Sequence, residues 1–249
     1  MNQLMIRQFP PLSYAGQESL NTLCTNLTFT GENVKKIMIT SSHASEGKSF
    51  VAMNIMRTMA QYGKTVVLVD ADLRMSNITA KYDLRFAQSP QMAGLAHYLA
   101  GMTDEGSVIY QTNIEGAYMI PVGRSVSSPM PLLNSERFRD LLAHLSASCD
   151  YVLIDAPPVG AVIDAAEIAK SCDGIVVVVD YDSVHRQELI EVRQQLEQTG
   201  CPVLGAILNR VDQDGFFGKK YYYKSYYSHY GDTSEDAGKS KRKSKRPKK

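Results

Sequence analysis

Six continuous apolar runs rich in β-branched residues recur along this chain and restrict its fold more than any other feature. They are IMIT at 37–40, VVLVD at 66–70, YMIPV at 118–122, YVLID at 151–155, IVVVVD at 175–180 and VLGAILN at 203–209. Because the runs do not alternate with polar residues, they predict strands that are covered on both faces. Segments with apolar residues near a 3.6-residue period separate most of these runs, at 50–61, 135–145, 165–171 and 185–198. The alternation predicts an α/β fold with a doubly wound, mainly parallel sheet.

Residues 77–115 are less regular, and we expect short helices there and a loop over the carboxyl edge of the sheet, where nucleotides bind. With 249 residues, 44% of them hydrophobic, the chain can hold one folded domain at 1–218 and a tail at 219–249. The sequence contains neither the 18 or so consecutive apolar residues of a membrane span nor a signal peptide, which predicts a cytoplasmic protein. Its four cysteines form no CxxC pair, so we expect reduced thiols rather than disulfides or a zinc site.

The segment SSHASEGKS at 41–49 lies between the first predicted strand and the helix that follows it. It predicts a phosphate-binding P-loop. Such a loop needs inward-facing backbone N–H groups, a lysine for the terminal phosphates and a neighbouring hydroxyl for magnesium. Gly47, Lys48 and Ser49 supply these groups. Ser42 stands where the full pattern GxxxxGK[ST] has its first glycine. The assignment of the P-loop therefore depends largely on the position of this segment between a strand and a helix.

Three aspartates lie at the carboxyl ends of predicted strands. Asp70 and Asp72 are two residues apart in VDAD, which in an extended segment points both side chains the same way. Asp155 ends YVLID, before an Ala-Pro-Pro segment that stops the strand, which is the Walker B arrangement. Together with Lys48 and Ser49, these carboxylates suffice for a magnesium–ATP site with one carboxylate left to accept a proton.

Beyond the last predicted strand, the segment YYYKSYYSHY contains six tyrosines: Tyr221, Tyr222, Tyr223, Tyr226, Tyr227 and Tyr230. Aromatic clusters commonly serve as core or interface surface. Because this cluster follows a predicted ATP site in the sequence, however, it is predicted to be a phosphoacceptor.

The tail is also strongly basic, since residues 219–249 hold 11 Lys+Arg against 3 Asp+Glu, a net charge of +8. Subtraction from the totals of 27 and 26 leaves 16 against 23 for residues 1–218, a net charge of −7. The last eleven residues, KSKRKSKRPKK, have no apolar side chain and are predicted to be disordered. A solvated end, an anionic membrane surface and an acidic protein partner all remain open for it.

The motifs together resemble those of the bacterial tyrosine kinases, the BY-kinase family that controls capsule and exopolysaccharide synthesis. The similar segments are the P-loop ASEGKS, the Walker A′ segment VVLVDADLR, the Walker B segment YVLIDAPPVG, GLAHYLAG at 94–101, LGAILNRVD at 204–212 and the tyrosine tail. The MinD and ParA positioning ATPases share the fold and the deviant P-loop. They lack the tyrosine cluster, and they carry an early signature lysine where this chain has His43.

The resemblance implies a role for each matching residue. Nucleotide binding would fall to Ser45, Glu46, Gly47, Lys48, Ser49, Phe50, Asn209 and Arg210. Magnesium would be held by Ser49, Asp72 and Asp155, directly or through water. Asp70 would deprotonate the attacking tyrosine, with Lys48 and Asp72 as the other catalytic residues, although the division of roles between Asp70 and Asp72 stays open. Arg74 would either neutralise phosphate charge or form a structural ion pair.

Two departures from the family pattern concern assembly and loop rigidity. The N-terminal helix resembles the subunit contact E-x-x-R-x-x-R, but Asn21 and Cys24 replace both arginines that should follow Glu18. A ring of subunits should therefore form weakly, differently or not at all. A proline commonly found two residues beyond Arg74 is Ser76 here.

These observations predict an ATP-dependent tyrosine autokinase that phosphorylates its own tail, in trans if it follows the family, and regulates capsular or exopolysaccharide synthesis and export. The implied partners are a separate transmembrane polysaccharide co-polymerase as activator, further copies of the chain, a cognate tyrosine phosphatase and an anionic membrane surface. Nucleic acid is not expected, and the protein should lie at the inner face of the plasma membrane through its adaptor. The alternatives are a MinD/ParA-like positioning ATPase with a basic anchor, and a non-catalytic module whose tyrosines are a docking surface.

Overall fold

The computed structural model describes residues 2–87, 92–160, 163–181 and 184–211 of the chain. Within these residues the strands are β1 (Asn2–Ile6), β2 (Lys36–Ser41), β3 (Val66–Asp70), β4 (Leu84–Phe86), β5 (Tyr110–Thr112), β6 (Ala117–Ile120), β7 (Tyr151–Asp155), β8 (Gly174–Asp180) and β9 (Val203–Asn209). The helices are α1 (Tyr14–Thr28), α2 (Lys48–Gln61), α3 (Ile78–Lys81), α4 (Leu95–Leu99), α5 (Met130–Leu133), α6 (Glu136–Ser148), α7 (Asp164–Ala169) and α8 (Arg186–Glu197).

All these strands belong to one sheet in the order β4-β1-β5-β6-β3-β7-β2-β8-β9. The β1–β4 and β5–β6 pairs are antiparallel, and the other neighbours are parallel. The central strands β3, β7, β2 and β8 are therefore mutually parallel, and their carboxyl ends share one edge of the sheet. This confirms the predicted doubly wound, mainly parallel sheet.

Helices cover both faces of the sheet, and each face has its own apolar cluster. Successive residues of β3 alternate between the clusters: Val67 and Val69 pack with α4, α6 and α8, whereas Val66 and Leu68 pack with α1 and α2. Every residue of β3 is buried. Burial on both faces explains why the apolar runs are continuous in the sequence.

The predicted helices at 50–61, 135–145, 165–171 and 185–198 correspond to α2, α6, α7 and α8. The predicted strand at 118–122 is correct in position but ends two residues early, at Ile120. The carbonyl groups of Pro121 and Val122 leave the sheet because they accept hydrogen bonds from the backbone N–H groups of Leu95 and Ala96, at 2.8 and 3.0 Å. This segment therefore anchors the start of α4.

Three strands were not predicted from the sequence. The irregular region 77–115 does contain the short helices α3 and α4, but it also contributes the three-residue strands β4 and β5. β1 precedes all the predicted elements and pairs with β4 and β5. These additions extend the sheet on the side away from the P-loop.

The N-terminal helix inferred from the family resemblance is α1, which begins after Ser13, whose side chain accepts a hydrogen bond from the Gly16 backbone N–H. Cys24 on this helix is fully buried in the core, so the residue that replaces the second arginine faces inward. Asn21 instead donates to Glu18 within the helix, at 3.2 Å. None of the helices in the described part of the chain is long and apolar enough to span a membrane.

Candidate active site

The P-loop connects β2 to α2 and is shaped by its own polar groups. Gly47 caps α2 with a φ of 95°, a left-handed conformation that glycine adopts without steric cost. The Ser41 hydroxyl donates to the His43 carbonyl oxygen at 2.6 Å, and the His43 backbone N–H donates to Glu46 Oε2 at 2.8 Å. Ser45 also has a positive φ, 68°. The loop therefore curls tightly above the N-terminus of α2, where the helix dipole favours anions.

A residue from the far end of the chain braces this loop. Asn209, the last residue of β9, donates from Nδ2 to the Glu46 carbonyl oxygen at 2.8 Å. A Cβ atom at Gly47 would lie 2.1 Å from the same Asn209 nitrogen, which only a shift of one group could relieve. Of the predicted nucleotide-binding residues, Glu46 and Asn209 thus have a direct part in shaping the loop.

The lysine and serine that open α2 contact the carboxylates of Asp72 and Asp155 directly. Lys48 Nζ lies 3.0 Å from Asp72 Oδ2 and 3.9 Å from Asp155 Oδ1. The Ser49 hydroxyl donates to Asp155 Oδ2 at 2.5 Å. The structure thus brings these four predicted side chains together, and their roles stay predictions.

Strand pairing explains how the third carboxylate reaches the site. Asp70 and Asp155 are register partners at the carboxyl ends of the parallel neighbours β3 and β7. The Ala71 backbone N–H donates to the Asp155 carbonyl oxygen at 2.9 Å and extends this pairing past the strand. Asp70 is fully buried and Asp72 is 4% exposed. The three carboxylates therefore lie around the ammonium group of Lys48 in an environment of low dielectric constant.

The burial has electrostatic consequences for the whole group. Burial, together with the Asp155 charge, raises the pKa of Asp70 to about 8. Burial also raises the pKa of Asp155, against the opposing effects of Lys48 and the Ser49 hydrogen bond. Burial alone would lower the pKa of Lys48, but the charges of Asp155 and Asp72 outweigh it and hold the pKa above its usual value. Asp70 is therefore the carboxyl best suited to hold a proton near neutral pH.

The loop after Asp72 folds back onto the aspartates. The Met75 backbone N–H donates to Asp72 Oδ1 at 3.1 Å, and the Ser76 backbone N–H donates to the Asp72 carbonyl oxygen at 3.1 Å. The Ser76 hydroxyl donates to Asp70 Oδ2. In the sequence Ser76 stands out only as a departure from the family pattern, and this contact was not predicted.

Arg74 forms the structural ion pair that was one of its two predicted roles. Its Nε and a terminal nitrogen contact both carboxylate oxygens of Asp164, at 2.5 and 3.2 Å. Its other terminal nitrogen donates to the Ser127 carbonyl oxygen at 2.7 Å. Asp164 is 1% exposed and starts α7, so the pair ties the loop after β3 to a helix on the other side of the site. No pattern in the sequence predicts Asp164 as its partner.

Several buried polar atoms in the site have unmet hydrogen-bonding capacity. Within the described residues, Ser42 Oγ, Glu46 Oε1, Asp70 Oδ1 and Asp155 Oδ1 have no hydrogen-bond partner. Buried polar groups are nearly always paired, so unpaired atoms that converge on a P-loop fit a polar ligand. The described residues contain no cluster of three or more His, Cys, Asp or Glu side chains suited to a metal ion. The oxygen atoms of Ser49, Asp72 and Asp155 nevertheless suit magnesium, because this ion commonly takes one or two carboxylates and completes its shell with water and substrate phosphates.

The other predicted residues lie beside the site or outside the described residues. Phe50 follows Ser49 on α2, and its ring centroid is 5.6 Å from Lys81 Nζ. Arg210 follows Asn209 with a φ of 57°. The predicted phosphoacceptors lie outside the described residues, as does the basic end. Their roles, like those of the residues within the site, stay predictions.

Similar known proteins identify the family. A family model described as an AAA domain matches residues 34–199. The tyrosine-protein kinase CpsD of Streptococcus pneumoniae is 35% identical over 196 residues, which span 79% of this chain and 85% of the relative. The chain belongs to the bacterial tyrosine-protein kinases.

Solved structures agree with this assignment. The kinase domain of the Escherichia coli tyrosine kinase ETK superposes with a TM-score of 0.72 at 30% identity, covering 79% of this chain and 78% of that one. The septum site-determining protein MinD of Pyrococcus horikoshii, complexed with Mg-ADP, superposes with a TM-score of 0.59 at 24% identity, covering 72% and 71%. The likeness to MinD supports the shared fold alone, and the likeness to ETK supports the family.

Proposed function

We propose that this bacterial tyrosine kinase is an ATP-dependent autokinase that phosphorylates the tyrosine cluster of its own tail, in trans between copies of the chain. The observation that carries the proposal is the convergence of Asp70, Asp72 and Asp155 on Lys48 and Ser49. This arrangement offers a cation and a helix N-terminus for phosphates, together with one carboxyl whose pKa of about 8 suits a general base.

In the proposed reaction, a tyrosine hydroxyl oxygen forms a bond to the γ-phosphorus of ATP. The bond from that phosphorus to the β–γ bridging oxygen breaks, ADP leaves with the electron pair, and the tyrosine proton passes to Asp70. Lys48 neutralises charge on the phosphate oxygens, and the P-loop backbone orients them. Positioning and charge neutralisation supply most of the catalysis in such transfers.

Magnesium fits the residues present, and Ser49, Asp72 and Asp155 would hold it. When bound, it supplies charge neutralisation at the phosphate oxygens. Lys48 and Ser49 contact the same carboxylates in the structure, at 3.0 and 2.5 Å. These contacts keep the oxygen atoms that would hold the cation close to the P-loop lysine and to the start of α2.

The tail that we propose as substrate carries a net charge of +8 over residues 219–249. Each phosphotyrosine adds roughly −1.5 to −2 near neutral pH, so about four or five phosphates cancel that charge. Phosphorylation then weakens binding of the tail to an acidic surface, either an anionic membrane or the residues before it, which total −7. Through that switch, and with a transmembrane polysaccharide co-polymerase as activator and a phosphatase to reset it, the kinase regulates capsular or exopolysaccharide synthesis and export.

The test uses the full chain with magnesium and ATP, followed by mass spectrometry of the tail. Phosphotyrosine should appear between Tyr221 and Tyr230 in the unsubstituted chain, be absent from Lys48→Met and form only at a small residual rate in Asp70→Ala. A chain with all six tail tyrosines replaced by Phe keeps an intact site and serves as the matched control. Continued ATP hydrolysis without any phosphotyrosine would contradict the proposal and favour a positioning ATPase.

The direction of transfer can be tested by mixing two variants that are each unable to label themselves. Lys48→Met offers an intact tail without a working site, and the six-Phe chain offers a working site without acceptors. Label on the Lys48→Met tail demonstrates trans transfer. From Asn209 to Tyr221 is twelve residues, at most about 40 Å when extended, which also allows transfer in cis. A labelled unsubstituted chain with no label in the mixture would show that the transfer occurs in cis.

A further inference from the structure

The buried carboxylate of Asp70 is held by one neighbour on one side. The Ser76 hydroxyl donates to Asp70 Oδ2, while Asp70 Oδ1 has no hydrogen-bond partner within the described residues. Asp70 is completely buried. The two carboxylate oxygens are therefore chemically distinct: one is occupied and one is available.

The direction of the Ser76 hydrogen bond follows from its other contacts. The Ile78 backbone N–H donates to Ser76 Oγ at 3.3 Å, so the hydroxyl oxygen acts as an acceptor on that side. The hydroxyl proton is then free to point at Asp70, which in its ionised form, the form that acts as a base, only accepts hydrogen bonds. The backbone of Ser76 is held in turn by the bond from its N–H to the Asp72 carbonyl oxygen, at 3.1 Å. The donor that contacts Asp70 is thus itself held in place from two directions.

Holding the carboxylate matters because aspartate does not orient itself. The terminal torsion of aspartate is broad, so an unrestrained carboxylate rotates and offers either oxygen. A base must lie within hydrogen-bonding reach of the proton that it abstracts, and small misplacements of reacting groups cost large factors in rate. A hydroxyl that holds Oδ2 keeps Oδ1 in one position.

We propose that Ser76 is a positioning residue of this kinase, which holds Asp70 Oδ2 so that Oδ1 faces the tyrosine proton. The inference rests on the proposed function, because it takes Asp70 as the base of that reaction. Ser76 touches neither tyrosine nor nucleotide in this role and acts only through Asp70. It also explains why the loop after β3 returns to the end of its own strand.

The experiment measures initial rates of autophosphorylation by the full chain as ATP is varied, for the unsubstituted protein, Ser76→Ala and Ser76→Thr. Ser76→Ala should lower kcat about 10-fold and leave the KM for ATP within about 2-fold, because the phosphate-binding groups are unchanged. Ser76→Thr keeps the hydroxyl and should restore most of the rate. The exposed Ser148 on α6 provides the matched control Ser148→Ala, which should behave like the unsubstituted chain.

A double-mutant cycle separates positioning from a general structural role. In an Asp70→Ala background the residual rate should be unaffected by Ser76→Ala, because the group on which Ser76 acts is already gone. An equal loss in both backgrounds overturns the inference, and so does a fully active Ser76→Ala chain. Absence of phosphotyrosine from the unsubstituted chain overturns the proposed function itself, so the two failures are distinguishable.

Discussion

Lys48 and Asp72 form an ion pair, with Nζ and Oδ2 separated by 3.0 Å, in which both side chains are largely buried. The lysine comes from the P-loop and the aspartate from the loop after β3, so the pair joins two segments that no backbone hydrogen bond connects directly within the described residues. Removal of the lysine leaves the carboxylates of the site without their cation and with little access to water. The pair therefore stabilises the folded chain, in addition to the phosphate-binding role that we propose for Lys48.

We predict that Lys48→Met lowers the free energy of unfolding by about 2–4 kcal/mol at pH 8, since loss of one partner strands a buried charge. The loss should be smaller at pH 5, where the carboxylates can take up protons instead. Urea unfolding at the two pH values measures the difference. The control is Lys64→Met, at a half-buried lysine just after α2, which should change stability by less than about 0.5 kcal/mol. Equal losses from both variants would contradict the prediction.

Asp70→Asn should make the protein more stable at alkaline pH while abolishing kinase activity. The pKa of Asp70 is raised from 3.8 to about 8, so between these values the folded state holds a proton that the unfolded state has lost. Stability from this group is therefore greatest below pH 4, falls as the pH rises and levels off above 8. Asparagine removes that fall.

At pH 8 the gain from Asp70→Asn should exceed about 1.4 kcal/mol, the free energy of one pKa unit, and it should vanish near pH 4. Chemical unfolding between pH 4 and 9 measures both limits. Asp140→Asn, on the exposed face of α6, is the matched control and should run parallel to the unsubstituted chain. If Asp70→Asn gave a parallel curve too, Asp70 would not carry the raised pKa.

The central fold and the grouping of the candidate site residues could be predicted because both follow from local patterns. A strand such as β3, buried on both faces, needs an unbroken apolar run, and an aspartate at its end must emerge at the carboxyl edge. Parallel neighbours bring such ends together, which is how Asp70 and Asp155 come to be register partners. The lysine and serine of the P-loop follow from the turn into α2.

The missed elements lack such patterns. β4 and β5 have three residues each, too few to show any period, and β1 alternates between buried and exposed positions over only five residues. The contacts of Ser76 with Asp70 and of Arg74 with Asp164 depend on how a loop folds. Sequence spacing carries no information about pairs that form across 6 or 90 residues through loop geometry.

Breaking the Arg74–Asp164 pair should loosen the loop that carries Asp72. Arg74→Ala leaves the 1% exposed Asp164 without its bidentate partner, and we predict a loss of about 2–4 kcal/mol in the free energy of unfolding. The additional change Asp164→Asn should recover part of that loss, because it removes the stranded charge. Arg124→Ala, at an exposed arginine elsewhere in the chain, is the control and should alter stability by less than about 0.5 kcal/mol. No recovery in the double variant would show that the ion pair is not the source.

Gly47→Ala tests the contact between the P-loop and β9. Two costs combine there: a φ of 95°, which L-residues rarely adopt, and a Cβ that would lie 2.1 Å from Asn209 Nδ2. Gly101→Ala meets the first cost alone, since its φ is 73° and nothing lies within 4 Å of the added Cβ. The strain itself costs on the order of 1–2 kcal/mol at each position.

We therefore expect Gly47→Ala to be the more destabilising change and to weaken binding of a fluorescent ADP analogue at least about 10-fold, because displacement of Asn209 deforms the loop. Trimming the colliding group with Asn209→Ala in the Gly47→Ala background should recover stability. If Gly47→Ala and Gly101→Ala lowered the free energy of unfolding equally, the contact of Asn209 with the P-loop would not contribute to stability.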